Sequence, residues 1–163
     1  MWDAVQYFTN LNSRLKLTRD KYVLCRATGL ANLEDLINNS QKHQNFTVVD
    51  DSDDGVTIRR GGGYFNRRSV VVYILKKYKF KSQEDRAEKL TEVRQVYSRF
   101  LSRLLRDSNT LPELSYLDKT RIPYHEVPGF FAAGTAGLYF IITLDEPVDL
   151  QFVEEHWDEV PEP

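Results

Sequence analysis

The stretch Thr57–Lys81, TIRRGGGYFNRRSVVVYILKKYKFK, decides how this chain is read. Three consecutive glycines sit between Arg59-Arg60 and Arg67-Arg68, and SVVVYILKKY follows from Ser69 to Tyr78. Val70, Val72 and Ile74 alternate with Val71, Tyr73 and Leu75, the period of two that defines a strand, and apolar residues in both sets call for cover on both faces. A phosphate loop would place its glycines between a strand and a helix and follow them with Lys and then Ser or Thr. Gly61, Gly62 and Gly63 lead instead into Tyr64, Phe65 and another strand. They read as a flexible or bulged connection between strands.

Ahead of the glycines lies NFTVVDDSDDGVTIRR. Phe46–Val49 and Val56–Arg59 are β-rich runs, and the acidic stretch between them ends in Asp54-Gly55, which predicts a hairpin turn. The same stretch, Asp50–Gly55, imitates the first half of an EF-hand calcium loop. The twelfth position of that loop must supply a bidentate Glu, and here it is Gly61, so an acidic turn is expected instead.

Helical periods flank this β-rich centre. Trp2, Val5, Phe8, Leu11 and Leu15 recur every three or four residues, and Leu30, Leu33, Leu36 and Ile37 predict a second, short helix to about Gln41 with Thr28 as its N-cap. The clearest helix is SQEDRAEKLTEVRQVYSRFLSRLLRDS. Ser82 and Asp85 resemble a capping box, and Ala87, Leu90, Val93, Tyr97, Leu101 and Leu104 form an apolar stripe widened by Val96, Phe100 and Leu105. A polar loop containing Pro112 and Pro123 precedes GLYFIITLDEPVDLQF, a last strand or hairpin by its β-branched and aromatic content. The expected fold is α+β, a mostly antiparallel sheet of about four strands with one long helix packed on it and N-terminal helices. One domain spans residues 1–155, and 156–163 form an acidic tail.

Composition agrees with one soluble globular domain. The chain has 163 residues, 41% of them hydrophobic and 28% charged, with a formal net charge of -2, so neither DNA nor an anionic membrane attracts the molecule as a whole. No segment has the length and apolarity of a membrane span, and the N-terminus lacks the basic start and apolar run of a signal peptide. The single Cys25 excludes an internal disulfide and reads as a small buried apolar residue. His43, His125 and His156 lack a second ligand or base at metal or triad spacing and read as surface or packing residues. The residues therefore give no catalytic, metal-binding or cofactor-binding set.

Charge is segregated along the chain. Val56–Lys81 holds eight basic residues, Arg59, Arg60, Arg67, Arg68, Lys76, Lys77, Lys79 and Lys81, and no acidic one; from Asp145 onward stand eight acidic residues and no Lys or Arg. Three readings compete. Both runs are solvated faces; or Tyr64 and Phe65 stack on nucleic-acid bases while the arginines neutralise phosphates; or a basic face of one subunit meets an acidic face of the next in head-to-tail association. The third accounts for both runs together. It sets Arg59, Arg60, Gly61, Gly62, Gly63, Arg67, Arg68, Lys76 and Lys77 on a subunit interface or lumen, and Asp145, Glu146, Asp149, Glu154 and Glu155 on the acidic counter-surface.

The order of elements, with RATGLANLEDLI ahead of the hairpin and GLYFIITLDEP after the long helix, resembles that of the small tail-terminator, tail-completion and neck proteins of tailed bacteriophages and prophages, over roughly Leu30–Phe152. The resemblance implies a non-enzymatic virion structural protein without a cofactor. Such a protein forms a ring, hexameric if a tail terminator, that caps the tail tube or joins tail to head. Its partners would be further copies of itself and tail-tube or connector proteins, with DNA passing the lumen and no membrane. It would assemble in the bacterial cytoplasm. The alternative is a monomeric nucleic-acid-binding accessory protein using the basic segment from Arg59 to Lys81.

Overall fold

In the computed structural model, which describes residues 2–129, 131 and 134–157, three helices flank one mixed sheet. The elements run α1 (Ala4–Arg14), β1 (Val23–Ala27), α2 (Leu30–Asn39), β2 (Asn45–Arg60), β3 (Gly63–Lys77), α3 (Gln83–Asp107), β4 (Tyr124–Glu126) and β5 (Thr135–Val148). The sheet order is β1-β2-β3-β5-β4. Among the described residues only β1 and β2 pair in parallel, and α2 is the crossover such a pair needs. Leu117 adds one further bridge to Leu144, continuing the edge beyond β4. The fold is thus α+β and mostly antiparallel, as expected, with five strands among the described residues and a parallel edge that the sequence did not reveal.

The alternation in β3 divides the core. Val70, Val72 and Ile74 pack with Leu138, Phe140 and Ile142 of β5 against Phe8 and Leu11 of α1 and Val93, Val96, Phe100 and Leu104 of α3. Tyr73 and Leu75 point the other way, where Phe46 and Val48 meet Leu33 and Ile37 of α2 and Val127. Both faces of β3 are covered, as its two apolar sets require.

Local chemistry sets the helix ends. Asp3 caps α1 by accepting from the Gln6 amide at 2.8 Å, and the Ser82 hydroxyl accepts from the Asp85 amide to start α3. The Asp85 carboxylate does not close the reciprocal capping box; it accepts from the Lys79 amide at 2.6 Å. Thr28 is not the cap of α2. Gly29 takes that position with no side-chain cap, and its amide donates to Asp50 Oδ1 at 3.2 Å.

The acidic hairpin turn is likewise corrected. Asn45–Arg60 is one strand, irregular between Asp50 and Asp54, and Asp54 and Gly55 lie within it opposite Ser69 and Arg68. Asp50 Oδ1 accepts from both the amide and the hydroxyl of Ser52, a local carboxylate turn that stabilises a bulge and lets the chain continue extended. The reversal comes at Gly61-Gly62, between Arg60 and its partner Gly63. Gly61 has φ +60°, as the first central residue of a two-residue hairpin requires.

Candidate functional site

Beyond the bulge, β2 and β3 form an arm. β1 ends at Ala27, opposite Asp50, so among the described residues the outer edge of β2 from Asp54 to Arg60 has no strand beside it. Its inner edge pairs with β3 out to the turn, and β5 runs along the other side of β3 as far as Val148, opposite Tyr64. An open strand edge exposes a row of amides and carbonyls able to pair with another chain. Val56 on this edge is 55% exposed.

The structure separates the basic residues of the arm by partner. Arg67 and Asp145 face each other in the β3–β5 register, and Arg67 donates from Nε to Oδ1 at 2.7 Å and from its terminal nitrogen to Oδ2 at 2.9 Å. Arg60 adds a longer pair to the same carboxylate at 3.5 Å. Arg68 pairs with Glu146 at 3.5 Å, and Glu146 accepts from the Trp2 amide at 2.6 Å. Arg59 lies over the Tyr64 ring. Lys76 pairs with Glu92 of α3, and Lys77 donates to the Ser40 carbonyl at 3.2 Å. Asp149, Glu154 and Glu155 are exposed beyond the end of β5. Residues 158–163, which carry the rest of the predicted acidic tail, lie outside the described residues.

The two charged runs meet inside the sheet. Asp145 and Glu146 are not an outward acidic counter-surface; they neutralise Arg60, Arg67 and Arg68 of their own chain. Much of the segregation between the two runs is cross-strand pairing inside one sheet, an arrangement that supports antiparallel neighbours directly. Of the predicted basic set, Arg59 and the rim of the glycine turn stay most available to a partner.

The Arg67 fork, then burial working against it, then the charge of Arg60 set the Asp145 carboxyl, with the net result below the usual carboxylate range. Asp118 stands in the same cluster. The hydroxyl and amide of Thr120 lower it first, and Arg67 lowers it further. Because the folded state holds Asp145 below its unfolded value, its stabilisation is complete above about pH 4 and disappears as acid titrates the folded carboxylate. Asp145→Asn is therefore expected to cost about 1–3 kcal/mol near neutrality. It should also flatten the loss of stability below about pH 4. Urea unfolding of both proteins at neutral and acidic pH measures this, and equal acid sensitivity would show that the Arg67 fork is not the cause.

Elsewhere, no group of three or more His, Cys, Asp or Glu among the described residues is placed to hold a metal ion. His125 lies on β4 against the Tyr139 ring, and His43 and His156 are exposed. Cys25 is half-buried on β1, and burial raises its thiol pKa. No described helix is long and apolar enough to cross a membrane. Neither a protein-family model nor a curated protein matches the sequence.

Proposed function

We propose that this chain is a non-enzymatic structural subunit of a phage or phage-like particle, forming a ring that terminates a tail tube or joins tail to head. The observation that carries the proposal is the open outer edge of β2, Asp54–Arg60, on an arm that ends in the Gly61-Gly62 turn. An unpaired, partly apolar edge on a hairpin arm is a surface for adding another subunit's chain, and heterologous addition closes into a ring when the rotation permits. β5 pairs with β3 along the arm as far as Val148, and Phe65 packs edge to face on Tyr116, so the arm is tied to the body of the sheet on its inner side. The order of elements, which resembles that of tail-terminator and neck proteins, supplies the particle context.

Light scattering after size-exclusion, with electron microscopy of large species, tests this at low and moderate salt. The expected result is closed rings. Val56→Lys, which puts a charge on the open edge, should abolish the closed rings while the chain stays folded by circular dichroism. Rings that persist in that variant would place the contact elsewhere. A monomer at every concentration, binding single-stranded DNA with an affinity that falls steeply with salt, would replace the proposal with the nucleic-acid reading.

A further inference from the structure

After β5 the chain runs DLQFVEEHW, Asp149–Trp157, and every one of these residues is exposed. Phe152 and Trp157 stack on one another with ring centroids 5.9 Å apart, yet they are 74% and 64% exposed. Leu150 and Val153 are exposed beside them, and Asp149, Glu154 and Glu155 carry the charge. Large apolar side chains gathered on an exposed segment mark an interaction site more often than chance surface. The segment is acidic and aromatic, so its receptor should be basic and apolar.

A receptor of that kind lies on the outer side of α1 and α3. A cavity of about 410 Å³ between the two helices meets a shallower one of about 900 Å³ at the C-terminal end of α1. They share Arg14, Leu15 and Arg99 and form one groove. Leu11, Leu15, Leu17 and Phe100 supply its apolar surface, while Arg14, Lys16, Arg94, Arg99 and Arg103 supply cations. The carboxylate that lines it, Asp107, is already engaged by Arg103 at 2.8 Å and by the Tyr7 hydroxyl at 3.0 Å. Arg94 is held by Glu126. Arg14, Lys16 and Arg99 make no ion pair within the described part of the chain.

We infer that this groove binds the Asp149–Trp157 segment of a second copy, with Phe152 and Trp157 on its apolar surface and the acidic side chains against Arg14, Lys16 and Arg99. The segment leaves the sheet at the hairpin end, where Val148 stands opposite Tyr64. The wide part of the groove lies toward the other end, where Asn12 near the end of α1 bonds Thr47 at the start of β2. In its own chain the segment is exposed and outside the groove. Donor and receptor at opposite ends make a head-to-tail contact, which repeats from copy to copy. The inference rests on the self-assembling reading above and gives it a second contact besides the β2 edge.

Two full-length variants test it. Phe152→Ser/Trp157→Ser spoils the segment and leaves the groove; Arg14→Glu/Arg99→Glu reverses the groove and leaves the segment. All four side chains are exposed, so neither variant should shift thermal unfolding. With the β2 edge also blocked by Val56→Lys in both, each alone is expected to be monomeric by light scattering, and an equimolar mixture should form a one-to-one heterodimer, because one intact segment and one intact groove remain. A mixture that stays monomeric, as it would if the segment docked within its own chain, overturns the inference. So does a groove variant that assembles like the unaltered protein.

A labelled peptide of residues 149–157 separates this contact from ring formation. It should bind the full-length Phe152→Ser/Trp157→Ser chain saturably, and adding Arg14→Glu/Arg99→Glu should weaken binding about tenfold or more. No binding would overturn the inference even if the unaltered protein forms rings. Binding by a protein that forms no rings would keep the groove and remove the ring.

Discussion

Gly137→Ala is expected to cost about 3 kcal/mol or more and to lower the thermal midpoint by roughly 10 °C, the tightest fit for an added Cβ at any glycine of the chain. Gly137 is buried in β5 opposite Leu75, between β3 on one side and the Val127 amide, which donates to its carbonyl at 2.9 Å, on the other. An added methyl would stand 2.9 Å from Leu75 Cα and closer still to the Ile74 carbonyl oxygen. The obstacle is backbone of the neighbouring strand, so no side-chain rotation relieves it, and β3 and β5 must separate where their pairing is continuous. Gly62→Ala is the matched control. Gly62 has open space around its Cα and no positive φ, so its substitution should change stability by less than about 0.5 kcal/mol. Equal midpoints for the two variants would mean that the strands do not approach at Gly137 as closely as described.

The same contrast shows where sequence patterns carry information and where they do not. The periods of Trp2–Leu15 and Gln83–Asp107 reflect one face buried on a sheet, a property each segment holds within itself, so α1 and α3 were legible. The alternation in Ser69–Tyr78 was legible for the same reason, with cover from two different sides. β1 was not. Val23–Ala27 is a short edge strand with three half-buried residues in succession, so no alternation marks it. Asp54-Gly55 misled because a dipeptide that suits a turn also fits a bulged strand when partners hold it extended. Those partners, Ser69 and Arg68, are distant in sequence.

The candidate surface was legible to the same degree. The two charged runs were visible as runs, but the register that sets Arg67 opposite Asp145 depends on which strands are neighbours. Once β3 and β5 pair, complementary runs satisfy each other within the chain. What remains for a partner is what the sheet leaves uncovered, and this includes the outer edge of β2 and the segment after Val148. The second had a signal in the sequence: Leu150, Phe152, Val153 and Trp157 are interleaved with acidic residues beyond the last strand. Its receptor had none, because Arg14, Lys16 and Arg99 converge only when α1 packs beside α3.

Phe8→Ala is expected to cost about 3–5 kcal/mol, comparable to the strand clash but through the opposite physics, a void instead of an overlap. Phe8 is fully buried where α1, α3 and β5 meet. Its ring sits 5.8 Å from Phe100 and 6.0 Å from Phe140, both inclined edge to face, with Tyr7 at 5.3 Å and Trp2 at 6.4 Å. Such pairs add about 0.5–1.5 kcal/mol to the area they bury. Phe100 and Phe140 are fixed on α3 and on β5, an inner strand, so the cavity collapses mainly by a shift of α1. Phe8→Leu keeps most of the volume and should recover much of the loss, while the edge-to-face contacts stay absent. Since α1 forms one wall of the basic groove through Leu11, Arg14 and Leu15, a shift of that helix should also weaken binding of the 149–157 peptide below the unfolding transition. Thermal unfolding with peptide titration reads both. A destabilised Phe8→Ala chain that binds the peptide unchanged would mean that α1 keeps its position without Phe8 and that the cavity relaxes on the sheet side.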